Sequence, residues 1–117
     1  MPSTSESTLS PQIQLLVHVR VKPEMKQQAL SAMTRLVEAT HREDTGCIRF
    51  EAAIDTTDMT HYIGYEVWAS QAALDLHSKK AHVTNFFAEI SAYVVDPTQP
   101  ISATRYTPIM PLAAVNY

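Results

Sequence analysis

The 117 residues contain a single cysteine, Cys47, so no intrachain disulfide can form, and the first residues lack both the basic start and the apolar core of a secretory signal. A reducing, cytoplasmic environment is the expectation. No apolar run approaches the ~20 residues that a membrane-spanning helix needs. The longest, around Tyr106 to Tyr117, is interrupted by Pro108 and Pro111. Basic charge is not in excess either: nine Lys and Arg stand against twelve Asp and Glu, a net charge of -3. That leaves no positive field to hold a nucleic-acid backbone or an anionic lipid surface. Also missing are a phosphate-binding loop, a paired-cysteine metal motif and a nucleophile elbow. Nucleic-acid and membrane partners are therefore not expected.

What is present is apolar and ordered. Hydrophobic residues make up 45% and charged residues 18% of the chain, the opposite of a disordered composition. The length fits one domain with a modest core, near the size at which a second subunit often completes the burial. Residues 1–11, rich in Ser, Thr and Pro, read as a flexible leader, residues 12–107 as the domain, and the apolar stretch 108–117 as a tail that contacts a partner subunit.

Hydrophobic periodicity divides the domain into six elements. Ile13 to Val21 alternates, with Leu15, Val17, Val19 and Val21 on one face and Leu16, His18 and Arg20 on the other. Pro23 and Glu24 suit a first helical turn, and Met25, Ala29, Met33, Leu36, Val37 and Thr40 form one stripe of a helix reaching about His41. Asp44-Thr45-Gly46 reads as a turn. Cys47 to Ile54 is a second strand, with Ile48, Phe50, Ala52 and Ile54 on its core face. Thr60 to Trp68 is a third, with Ile63, Tyr65 and Val67 assigned to the core. Ser70 caps a short helix to His77; after Ser78-Lys79-Lys80 a second segment runs from about Ala81 to Tyr93, and Ile101 to Thr107 is a fourth strand.

Strand, helix, strand, strand, broken helix, strand is the ferredoxin-like βαββαβ order, an α+β fold with a four-stranded antiparallel sheet and both helices on one face. The other face, expected to carry Leu16, His18, Arg20, Arg49, Glu51, Glu66 and Trp68, is too apolar for water and too charged for an ordinary core. Two such faces stacked together would pair Arg20 or Arg49 with Glu66 and bury Trp68 in a homodimer.

With these elements in place, Val21-Lys22-Pro23, Leu36 to Thr40, Gly46 to Glu51, Glu66-Val67-Trp68 and the His77 and His82 to Phe86 segment stand in an order that resembles the antibiotic biosynthesis monooxygenase family of dimeric α+β barrels. The resemblance covers roughly Leu15 to Val94. It implies cofactor-independent oxygenation of quinols or polyketide-type aromatics, haem degradation, isomerisation of a signal molecule, or a role without known activity. A haem-degrading member would carry an Asn on its first strand beside the Trp and His, and Leu15 to Val21 has none.

Oxygenation without a cofactor requires a base to deprotonate a phenolic or enolic substrate, a hydrogen-bond donor, and dry aromatic walls that hold the anion beside dioxygen. The candidates are His77 and Tyr65 for proton transfer and anion stabilisation, with Trp68, His82, Phe86 and Phe87 shaping the cleft. Three of them have a structural alternative: His77 as a helix-end cap, His82 as a surface residue, and Trp68 as a ring closing the edge of a core or interface. Glu66 with Arg20 and Arg49 reads as an interfacial ion-pair network, and Cys47 as packing. No cofactor and no metal are expected, because a spacing of five turns His77 and His82 apart on one helix; only a helix break at 78–80 would bring them together. A small aromatic or quinol-like compound and dioxygen are the expected partners. A non-catalytic binding dimer and an isomerase of a small sugar-like or dicarbonyl metabolite are the alternatives.

Overall fold

The computed structural model describes residues 9–117; the first eight residues of the expected leader lie outside the described residues. Its strands are β1 (Ile13–Arg20), β2 (Cys47–Ile54), β3 (His61–Trp68) and β4 (Ser102–Tyr106); its helices are α1 (Lys26–Glu43), α2 (Gln71–Ser78) and α3 (Ala81–Ile90). Pro23–Met25 forms a single 3₁₀ turn ahead of α1, with Pro23 where its missing N–H costs nothing. The sheet order β2-β3-β1-β4, antiparallel throughout, is the ferredoxin-like topology. Among the described residues no helix is long and apolar enough to cross a membrane.

The register decides which side chains share a face. Val17 lies opposite Gly64, Leu15 opposite Glu66 and Val19 opposite Tyr62, while Phe50 lies opposite Glu66 and Ala52 opposite Gly64. The core-facing rows of β1 and β2 are thus Leu15, Val17, Val19 and Phe50, Ala52, Ile54, as the alternation predicts except at Ile48, which has no ladder partner and joins neither core cluster. In β3 the expected phase is reversed. Tyr62, Gly64, Glu66 and Trp68 face the helices, whereas Ile63, Tyr65 and Val67 lie on the open face. The helix-side position of this row is fixed at one end by the Tyr62 hydroxyl, which donates to the Lys26 carbonyl at 3.0 Å.

In β2 the ladder skips between Cys47, opposite Trp68, and Arg49, opposite Val67. A bulge at this point returns Cys47 to the core side, although simple alternation groups it with Arg49. The core packs Val17, Val19 and Val21 against Ala29, Ala32 and Met33 of α1 and Phe86 and Ile90 of α3. A second cluster joins Phe50, Trp68 and Ala73.

The tail lies against its own chain. Gln12 exchanges two hydrogen bonds with the Leu112 backbone, each 2.8 Å, and the Val115 amide donates to the Ile48 carbonyl at 3.1 Å. Tyr117 then stacks on His41 and accepts the Phe50 amide at 2.9 Å.

Two local features fix where the broken helix begins. The Ser70 hydroxyl accepts the Ala73 amide at 3.2 Å, the N-cap that the sequence suggests. Gly46 has a φ of 75°, and a Cβ placed there would lie 2.6 Å from Ala73 Cβ. Glycine is therefore required both by the backbone and by the close approach of α2. Replacing Gly46 with Ala should destabilise the fold by about 1–3 kcal/mol. A urea titration of Gly46→Ala against the parent would measure the loss.

Candidate active site

α1 ends at Glu43, and its C-cap, Asp44, returns its backbone N–H to the Thr40 carbonyl. The Asp44 side chain then enters the space where α2 stops and α3 starts. His77 occupies the last turn of α2, Lys79 and Lys80 break the helix, and His82 stands in the first turn of α3. The break brings both imidazoles to one carboxylate. His77 Nδ1 donates a short hydrogen bond to Asp44 Oδ2, so the neutral ring keeps Nε2 as an acceptor. His82 Nε2 lies 2.8 Å from Asp44 Oδ1, yet the two atoms are not aligned for a hydrogen bond and each stands without one.

This cluster is dry. The side chains of Asp44, His77 and His82 are 1%, 7% and 12% exposed. Burial lowers the pKa of His77 and outweighs the opposing pull of Asp44, so the ring favours its neutral form. Its ring lies 4.4 Å from that of Trp68 and 5.3 Å from that of Phe50, centroid to centroid.

Between sheet and helices lies a partly open cavity of about 60 Å³, with Phe50, Gly64, Glu66, His77, Phe86 and Phe87 in its lining. That is room for a few water-sized molecules. Glu66, in the row facing the helices, accepts the Trp68 indole N–H at 2.9 Å. Burial raises its pKa, and Asp44 adds to this, against the opposing effect of the Trp68 bond. A wider groove of about 430 Å³ runs between α1 and the β2 edge and shares Met33, Val37 and Ala52 with the cavity wall. On the far side of α1, His82 reaches a groove of about 300 Å³ that also touches Arg42 and Asn85.

Five of the six candidates read from the sequence therefore converge: His77, Phe86 and Phe87 line the cavity, Trp68 packs behind it, and His82 stands across Asp44. Tyr65 is not among them. It faces the other side of the sheet, where its hydroxyl accepts the Gln14 side-chain amide at 3.0 Å. The expected pairing of Glu66 with Arg20 or Arg49 is also absent, because Glu66 lies on the helix side; Arg20 instead approaches Asp58 at 3.7 Å. Trp68, buried within the chain's own core, is not available to a partner. His77 bonds a carboxylate and not a helix-end carbonyl, so the capping alternative does not describe its side chain.

Two residues of the site escaped the sequence reading. Asp44 looked like turn chemistry and Glu66 like an interfacial charge. The signal for Asp44 was its place at the C-terminus of a helix, where the dipole disfavours a negative charge. Cys47, beside both carboxylates, is pushed up to about 12 by burial and by Asp44 and Glu66, which keeps the thiol protonated and inert.

With this geometry in view, the model of the antibiotic biosynthesis monooxygenase family matches residues 13–89, and the chain belongs to that family. It is 27% identical over 77 residues to a Bacillus subtilis protein named "Putative monooxygenase YcnE", covering 66% of this chain and 80% of that one. It is 28% identical over 94 residues to the uncharacterized protein sll1783 of Synechocystis; the match covers 72% of this chain and 63% of that protein's length. Among solved structures, one described as "Putative antibiotic biosynthesis monooxygenase from Nitrosomonas europaea" superposes with a TM-score of 0.79 at 19% identity, covering 89% of this chain and 96% of the other.

The half-buried Glu66 gives the folded protein a pH signature. Below the ordinary carboxyl value of 4.5 both folded and unfolded chains hold the proton. As pH rises above it, the unfolded chain releases the proton first, and the folded state loses stability until its own raised pKa is passed. Glu66→Gln keeps an acceptor for Trp68 and removes this loss. The gap in denaturation midpoint between Glu66→Gln and the parent should thus be smallest near pH 4 and grow towards neutrality in favour of the variant, as urea melts across that range would record.

Proposed function

We propose that the protein is a cofactor-independent monooxygenase of a small aromatic or quinol-type substrate, with His77 as the base. The observation that carries this reading is the dry, neutral His77, held by Asp44 with Nε2 free, in the wall of a cavity with aromatic neighbours. Asp44 fixes the tautomer and stabilises the imidazolium that forms when His77 takes a phenolic or enolic proton. The resulting anion gives electrons to dioxygen. One oxygen atom enters the substrate and the other leaves as water, the substrate supplying the electrons. Glu66, which keeps its proton to higher pH than an exposed carboxyl, is the donor to the peroxide that precedes water loss.

The cavity beside His77 is large enough for dioxygen and too small for an aromatic ring. The 430 Å³ groove is of ligand size, and Met33, in the shared wall, is flexible enough to open one to the other. In this reading the substrate lies in the groove and extends its acidic hydroxyl past Met33 towards His77. The open sheet face, with Leu16, Ile63 and Tyr65 half-buried on it, is the surface assigned to a second copy, as the family resemblance implies. Leu16→Glu should then turn a dimer into a monomer in size-exclusion chromatography with light scattering.

Oxygen uptake by chelator-treated protein, measured with hydroquinones and anthrones, tests the chemistry. Saturable uptake should fall about 10²–10⁴-fold in His77→Ala, while Tyr65→Phe, altered on the other side of the sheet, should keep its kcat. Uptake no faster than in buffer, for every compound, would remove the oxygenase reading and favour a binding or isomerase role.

A further inference from the structure

The Asp44 carboxylate and its two imidazoles are poorly satisfied as a hydrogen-bond network. Asp44 Oδ1 and His82 Nε2 are buried, face each other at 2.8 Å, and neither makes a hydrogen bond. Such unpartnered buried atoms are costly. Among the described residues, the ion-pair partners of Asp44 are these two histidines, with no Lys or Arg among them. Asp44, His77 and His82 each present one ligand atom, and the three atoms lie within 4.8 Å of one another. Atoms bound to one ion at about 2.0–2.2 Å sit roughly 3–4 Å apart, so closing this set requires a shift of about an ångström.

We propose that Asp44, His77 and His82 form a binding site for a single first-row divalent transition metal of the zinc and cobalt class. Two imidazole nitrogens with one carboxylate suit these ions. Magnesium and calcium prefer all-oxygen cages, and copper(I) prefers sulfur. The other histidine group on the sheet does not qualify. His61 uses one ring nitrogen for His18 and the other for Asp55, at 2.8 and 3.0 Å, so those three residues form a chain and not a ligand set.

Occupancy would have a chemical consequence at the cavity, one that rests on the base reading above. A metal takes the lone pair of His77 Nδ1, and the imidazole proton moves to Nε2, the nitrogen that otherwise accepts. The metal-bound ring then points a donor into the cavity. No proton is gained or lost in the exchange, but the base is switched off.

The test is a titration of chelator-stripped protein with Co²⁺, followed by visible d–d absorption, and with Zn²⁺ by equilibrium dialysis and elemental analysis. One equivalent per chain is expected, weakened more than about tenfold in His82→Ala and unchanged in His61→Ala. Zinc should raise the melting temperature of the parent and not that of His82→Ala. Should His82→Ala lose its far-UV circular dichroism, His82→Gln takes its place. No retained metal in the parent, undiminished affinity in the His82 variant, or loss in His61→Ala would overturn the site. Zinc saturation that leaves oxygen uptake unchanged would overturn the switch alone. Absence of uptake in stripped protein that still binds Co²⁺ would instead count against the oxygenase reading.

Discussion

The carboxylate of Asp44 is the point on which the helix layer turns. The backbone N–H of this residue caps α1, two residues before the left-handed Gly46 that lets α2 approach, and its side chain meets the end of α2 at His77 and the start of α3 at His82. Three helix ends that share no continuous hydrogen-bonded ladder converge on one anionic side chain. Removing one partner from such a buried group leaves the others desolvated and unpaired, a cost of about 1–3 kcal/mol for each group left without its hydrogen bond. Geometry around the cavity depends on this contact, because His77 is carried by a helix only eight residues long.

Local preference argues against an acid in that position. The C-terminal end of α1 carries partial negative charge, and Asp44 follows Glu43 there. A sequence that breaks a local rule without a local benefit commonly has the compensation elsewhere. Here it lies thirty-three and thirty-eight positions further along, in two histidines. The site is therefore a long-range product of topology, and no spacing within a single element announces it.

That distinction explains what could be read from the residues alone. Element order, the phase of β1, the Ser70 cap and the break at residues 78–80 follow from period, turn chemistry and capping, all of which act within a few residues. The phase of β3 did not follow, since both of its rows contain apolar side chains and the helix-facing row contains Gly64 and Glu66. Gly64 leaves open the space that becomes the cavity, and Glu66 puts a carboxyl in it. The core row looked the less hydrophobic of the two because it is the row that builds the site. The inversion moved Tyr65 out of the site and Glu66 into it. In β2 the bulge did the same on a smaller scale, bringing Cys47 to the core.

Burial acts on the two titratable groups of the cavity in opposite directions, and this gives the arrangement its chemical character. Desolvation penalises whichever form is charged, so it lowers the pKa of His77 and raises that of Glu66. The two titrations are thus shifted towards each other. A neutral base and a carboxyl that holds its proton more tightly can then face the same small space with little net charge between them. Such a pair is suited to taking a proton at one point and returning one at another. Asp44 supplies the asymmetry. By accepting from Nδ1 it decides which nitrogen of His77 is basic, while its other oxygen, facing His82, stands without a hydrogen bond.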